Sequence, residues 1–454
     1  MKTTILRIIC LAIISFTPVF YSCEKYLAER PDQELSVPNS LEDLQMLLDF
    51  YRGMNVQLPV APILLADNFY LTTDAWESAQ ELERNLYLWK KDDNTVGPWL
   101  NSYRVISVAN TVLDELKDIG RTKANSESWD NVQGSALFFR ATYFLTIAQL
   151  FAPAHYPETI NQQFGIPLRL NSDFNERSVR STVGETYQQI IDDFRASAGL
   201  LPVTPTVKSR PSKPAAYGSL ARTYLIMQDY EKAGLYADSC LSLYNQLIDF
   251  NLLDSSVVAP FERFNPEVIF HIRSGAPSVL FPSRARIDTF LYQSYANDDL
   301  RRSLFFSAND DGTHSFQGDY DGEGDRGFVF GGITTDEIYL IKAECAARSG
   351  NVDAAMQCLN TLLEKRWRSG TFTPFTAADK HEALGRILEE RRKELVFRGV
   401  RWSDIRRLAN DPAFAITVER IIDNQHYILP PQIPGYLVQI PEDVIEVSGM
   451  PQNP

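Results

Sequence analysis

Two stretches of this chain, 122 residues apart, repeat one pattern of small and aromatic residues, and that repetition constrains the fold more than any other feature. "AAYGSLARTYLIMQDYEKAGLYADSCLSLY" sets out Tyr217, Ala221, Tyr224, Ala233, Ala237 and Cys240. "DEIYLIKAECAARSGNVDAAMQCLNTLLEK" sets Tyr339, Ala343, Ala346, Ala355, Leu359 and Leu362 at the matching places. Recurrence at three- and four-residue spacing marks helix faces. Small residues on those faces let two antiparallel helices approach closely. Asp229 in one stretch and Gly350-Asn351 in the other mark the turn between helices,. Thr334 with Glu337 reads as a capping box for the second pair,.

The two stretches, near 213–245 and 334–366, resemble tetratricopeptide helix hairpins,. Other segments are helical too. Ser40 caps "SLEDLQMLLDFYRG", whose stripe is Leu41, Leu44, Leu47, Leu48 and Tyr51, and which closes at Gly53,. "VISVANTVLDELKDIG" closes at Gly120. Residues 134–152 are apolar almost all round, but Arg140 and Gln149 interrupt them, so a buried core helix is expected rather than a membrane span,. The fold class is therefore predominantly all-α. The hairpins form a scaffold rather than a continuous solenoid, and long insertions at 55–101 and 251–333 interrupt it. Loops of that length in a compact domain are usually functional. Residues 411–454 are proline-rich and read as extended over the surface.

The chain begins with Lys2 and Arg7 around a short apolar stretch that runs out at Ser22-Cys23. That order marks 1–22 as a secretory signal. A signal ending at cysteine suggests acylation of Cys23, since two or more acyl chains anchor a protein stably. An ordinary cleaved signal leaving a free Cys23 thiol is the alternative. The net charge of −14 argues against a nucleic-acid partner, because phosphate binding needs clustered Lys and Arg,. It gives no pull toward anionic lipid either. Cys240, Cys345 and Cys358 are too few and too scattered for a disulfide framework and read as buried small hydrophobes,. Five histidines without metal-ligand spacing imply no zinc site,.

"EERRKELVFRGVRWSDIRRL" at 389–408 pairs with "QIPEDVIEVSGMPQNP" at the C-terminus. "EKYLAERPDQELSVPNSLEDLQMLLD" follows Cys23, and "NPEVIFHI" stands at 265–272. With these motifs the chain resembles the SusD/RagB family from end to end. The resemblance implies a lipidated single domain over 23–454, with tetratricopeptide-like pairs as scaffold and ligand held by loops. It implies a protein anchored at the outer membrane through Cys23 that captures oligosaccharide for a SusC-like TonB-dependent transporter. Ser448 stands where many members carry Asn. On the helix from His381 to Phe397, Arg391 shares a face with Leu384, Ile387, Leu388 and Leu395. A buried guanidinium needs a partner, and Glu344 and Asp404 are the candidates for a structural latch.

Sugars expose flat C–H faces rimmed by hydroxyls, so loop aromatics beside amides and carboxylates are the candidate ligand residues. The first cluster is Asp67, Asn68, Tyr70 and Trp76 in "ADNFYLTTDAW", with Phe69 and Asp74 nearby. The second insertion adds Phe281, Tyr292, Tyr295 and Tyr320. "DYDGEGDRG" spaces Asp319, Asp321, Glu323 and Asp325 like half of an EF-hand loop, but Phe330 stands where a bidentate Glu is needed, so a solvated turn is expected,. No motif places a catalytic carboxylate pair, a nucleophile elbow, a phosphate loop or a dinucleotide site, so no catalysis and no cofactor are expected. Two other readings stay open: a peptide-capturing member of the same fold, and a helical-repeat adaptor that binds only protein.

Overall fold

The long helices of the computed structural model are α1 (Leu41–Asp49), α2 (Val96–Ile119), α3 (Ser126–Phe151), α4 (Val183–Leu200), α5 (Lys213–Ile226), α6 (Tyr230–Leu243), α7 (Thr335–Arg348), α8 (Val352–Leu363) and α9 (Lys380–Glu394). The structure describes residues 38–92, 94–323, 327–431 and 437–454. Ser40–Pro454 form one compact unit. The signal segment and Cys23 lie outside the described residues. Among the described residues, short helices and six two-stranded antiparallel ladders fill the connections, so the fold is predominantly helical, as expected.

The helices pack in one row. α2 lies on α3, α3 on α4, α4 on α5, α5 on α6, α6 on α7, and α7 on α8 and α9. The two repeated hairpins are therefore direct neighbours, although 91 residues separate the end of α6 from the start of α7. The insertion loops out and returns, so the scaffold stacks continuously in space. The repeat also extends to its turns. Gln228 (φ +62°) and Gly350 (φ +86°) both take the left-handed conformation, 122 positions apart. The next residues, Asp229 and Asn351, each cap the second helix by accepting from the backbone N–H three residues on. Ala233, Ala237, Cys240, Ala355, Leu359 and Leu362 are wholly buried.

Three sequence expectations change. Ser40 caps α1, but the helix stops at Asp49 and a separate turn, Tyr51–Met54, follows. Thr334 makes no side-chain cap, because the Glu337 N–H donates to Asp336 Oδ1 at 2.6 Å, and the Glu337 carboxylate turns inward to accept from Arg222 Nε at 2.8 Å. The C-terminal segment is not spread over the surface. Leu437, Val438 and Ile440 are buried, and Asn453 donates to the carbonyls of Phe151 and Val438. The closing motif is thus a plug beside the end of α3.

Arg140 and Gln149 of α3 both turn inward, each with a partner. Arg140 forms a two-bond fork with Asp193 of α4, both at 2.7 Å, and Gln149 donates to the Tyr187 hydroxyl at 2.6 Å. The latch around Arg391 forms as well, with one exchange of partners. Arg391 Nε donates to Asp404 at 2.9 Å, whereas Glu344 receives the fork of Arg407 at 2.6 and 2.7 Å. Arg407 also donates to Asp404 at 2.8 Å. Burial alone would raise the Asp404 carboxyl; Arg391 and Arg407 hold it below its usual range instead. Removing one member of such a group leaves a buried charge unanswered. Arg407→Ala should destabilise the protein by about 3–5 kcal/mol, read as a lower midpoint in urea unfolding. A change under about 1 kcal/mol would show that the latch is not structural.

Candidate functional site

The motif helix α9 and the turn after it reach both insertions. Arg392 donates to the Asp67 carbonyl at 2.9 Å and to Asp288 Oδ1 at 3.2 Å, joining the first insertion to the second. Arg401 closes on the Asp67 carboxylate at 2.7 and 2.9 Å. Burial would raise Asp67, but Arg401 and then Arg392 hold it well below the usual carboxylate range. Phe397 takes φ +61° and is buried. Its ring stacks on Phe316 at 4.7 Å and meets Phe69 at 5.7 Å. A bulky residue in that backbone region stores strain, which persists only where the surroundings fix it. Here one ring supports both insertions.

On this support the ladder Phe69–Tyr70/Arg286–Ile287 joins the two insertions strand to strand. Asp288 then caps the short helix Thr289–Gln293, accepting from Leu291 N at 2.8 Å. That helix presents Tyr292, and Phe290 on the same helix is 80% exposed. The hairpin Phe306–Ala308/His314–Phe316 packs on the ladder and presents His314. Tyr292 and His314 stack, centroids 3.5 Å apart and planes 19° off parallel. They line an open groove of about 530 Å³ together with Asn297, Arg302, Ser303 and Gln317. Arg302 lies 4.9 Å from the Tyr292 ring and donates to Asn297 Oδ1. An aromatic pair rimmed by amides, hydroxyls and a guanidinium suits a ligand with flat apolar faces and many hydroxyls.

The residues singled out in the sequence divide between this groove and the interior. Tyr292 lines the groove. Tyr70 is half-buried on the ladder opposite Arg286, which reaches Asp311 in the hairpin turn at 3.4 Å. Phe281 is half-buried before the ladder's second strand. Trp76 has other neighbours: its indole donates to the Arg84 carbonyl at 3.3 Å, and the Lys90 ammonium lies 5.8 Å from its ring and 5.6 Å from Tyr427. Three residues turn inward instead. Asp67 is committed to Arg401 and Arg392. Asn68 is 3% exposed. Tyr320 is wholly buried under Arg398, 3.5 Å away, with its hydroxyl on Glu267 at 2.6 Å; Tyr295 is buried beside the same network. Membership of an insertion does not separate a groove ring from a pinning ring: Tyr292 stands on a five-residue helix and Tyr320 in a turn of the same insertion. His314, Arg302 and Gln317 were not singled out. The signal for the first was present: Asp311-Gly312 between two short alternating runs is a hairpin signature,.

The acidic clusters face arginines. Asp321 of the EF-hand-like run is buried against Arg273 at 2.6 Å and His271 at 3.3 Å, and Glu323 pairs with Arg263, so guanidinium and imidazole groups stand where a cation would. Asp325 lies outside the described residues. Glu267, Asp336 and Glu394 approach one another deep in the core. Arg366 answers Glu267 and Glu394, each at 2.7 Å, and Arg398 stands 3.7 Å from Asp336. Burial pushes Asp336 up to about 7, against the pull of Arg398, and pushes Asp319 up to about 6. An acid whose folded pKa is raised binds its proton more tightly in the native state. Its contribution is complete below the ordinary value of 3.8 and is lost as pH climbs to about 7,. Asp336→Asn should therefore flatten the stability profile between these limits by up to roughly 1.4 kcal/mol per pH unit. Parallel profiles for the two proteins would refute a neutral Asp336.

A family model for "Starch-binding associating with outer membrane" matches residues 25–225, and one for the SusD family matches 336–452. A SusD-like protein P2 from Formosa agariphila is 25% identical over 447 residues, covering 84% of this chain and 85% of that protein. A crystal structure from Bacteroides vulgatus, of a protein assigned to sugar binding, superposes with a TM-score of 0.75 at 21% identity, covering 92% of this chain and 99% of the other. A SusD superfamily protein from Bacteroides thetaiotaomicron gives 0.75 at 20% identity, covering 91% and 100%. At such identities the superpositions establish the fold. Among the described residues no helix is long and apolar enough to cross a membrane.

Proposed function

The chain belongs to the SusD/RagB family, and from that premise we propose that it is a glycan-binding protein of the outer-membrane surface, which captures oligosaccharide and passes it unchanged to a SusC-like TonB-dependent transporter. The observation that carries this reading is the Tyr292–His314 stack opening onto a polar-rimmed groove built by the second insertion with Arg368. A sugar ring buries its C–H face on such a platform, while hydroxyls on its rim exchange water for the groove's amides and hydroxyls. Stacking of this kind contributes about 0.5–1.5 kcal/mol per ring beyond the area buried. Tyr70 stands on the ladder against which the groove's hairpin packs. Phe281 and Trp76 lie outside the groove's lining.

In this reading the scaffold does no chemistry; it holds the platform rigid so that little ordering is left for the binding step. Attachment to the membrane is through acyl chains on Cys23. Tyr292→Ala should weaken binding in calorimetry against a glycan panel by about tenfold, measured well below the variant's own melting temperature because the ring also packs on Phe306 and the core. Unaltered affinity for every glycan that binds would remove Tyr292 from the site. Cys23→Ala should move the protein from the membrane fraction to the soluble one; persistent membrane labelling would mean another anchor.

A further inference from the structure

The groove differs in charge from the chain that builds it. The protein carries a net −14, yet the charged side chains that line the groove are Arg302, Arg368 and Asp299. Asp299 is 1% exposed, and its oxygens are held by Arg301 at 2.7 and 2.9 Å and by Lys393 at 3.4 Å. Arg368 reaches Asp298 at 3.1 Å, but both side chains are largely exposed, so solvent and salt screen that pair,. Arg302 is half-buried and bonds to an amide oxygen rather than to a carboxylate. Its guanidinium lies along the Tyr292 ring. Burial and the nearby Arg302 lower the His314 imidazole below its usual range, so the positive charge of the groove at pH 7 is that of Arg302 and Arg368.

A planar guanidinium beside an aromatic ring, with donors free, matches an oxyanion better than a neutral hydroxyl. Resting on the glycan-capture reading, we infer that the groove selects acidic oligosaccharides, in which a carboxylate or sulfate on a sugar ring pairs with Arg302 while that ring packs on the Tyr292–His314 platform. A neutral sugar makes the stacking contact but leaves Arg302 solvated, so the anion supplies the discrimination.

The mature protein can be tested by affinity electrophoresis and calorimetry against matched probes. These are oligogalacturonides and their carboxyl-reduced forms, carrageenan oligosaccharides and their desulfated forms, and maltooligosaccharides. At least one acidic probe should bind, and its neutralised counterpart should bind roughly tenfold more weakly or worse. Arg302→Gln should lose a similar factor at unchanged melting temperature, Arg302→Lys should keep part of the affinity, and binding should weaken with added salt. The arm that binds tells carboxylate from sulfate. A neutral probe bound equally by wild type and Arg302→Gln overturns the charge assignment and leaves glycan capture standing. Binding of no probe overturns both.

Discussion

The guanidinium of Arg301, wholly buried among three carboxylates, is the interaction on which the rest of the site depends. It meets Asp299 at 2.9 Å, Glu394 at 3.0 Å and Glu390 of the same helix face. Arg366 extends the network from Glu394 to Glu267, and Tyr320 closes it on Glu267. A buried ion group of this kind is a poor source of net stability, because desolvation offsets its attraction. Its value is geometric. Each carboxylate has one arrangement of partners, so the segment around Asp299 has one position on α9. Arg302, the next residue, then emerges into the groove at a fixed place.

The same logic explains why long insertions made of short helices, two- and three-residue strands and turns can stay ordered. A loop has few internal hydrogen bonds to resist its conformational entropy, so order must come from outside. Here the scaffold supplies it through a few residues of one motif. Arg392 bridges the two insertions, Arg401 fixes the first, Phe397 lies beneath both, and the Lys393 carbonyl accepts the Tyr295 hydroxyl at 2.7 Å. The C-terminal hairpin adds Arg420, which donates to the Leu64 and Ala66 carbonyls and lies 3.6 Å from the Tyr87 ring. The arginine-rich run, which reads in sequence as a latch between helices, is therefore also the clamp beneath the two insertions.

This division accounts for what was legible in the sequence. The hairpins could be read because helix packing is local and periodic: the 122-residue offset at Ala233/Ala355 survives even in the left-handed turn residues Gln228 and Gly350. The latch could be read because a guanidinium on an apolar face must find an acid, although the choice between Glu344 and Asp404 depended on Arg407, whose direction no periodicity reveals. The site was harder. Tyr292 and Tyr320 are both tyrosines in an irregular insertion, and only the long-range fold makes one a groove wall and the other a core residue. His314 gives no signal as a ring partner until the hairpin brings it against Tyr292, 22 positions earlier.

A site built this way separates what must stay from what can vary. Replacing Tyr292, His314 or Arg302 alters side chains that are partly exposed and stand outside the buried ion network, so ligand chemistry can change at small cost to the fold. Replacing Arg301, one residue from Arg302, takes from three buried carboxylates the guanidinium they share and leaves only Lys393 and Arg366 to answer them, a loss of several kcal/mol. Adjacent arginines thus carry opposite constraints: one fixes where the groove is, the other what it accepts. The clamp must hold any loop that supplies an Asp67 and an Asp288 to Arg392, whatever rings that loop displays. One helical frame can in this way serve ligands of different charge, and the identity of the cargo is written in a few exposed side chains rather than in the motifs that mark the fold.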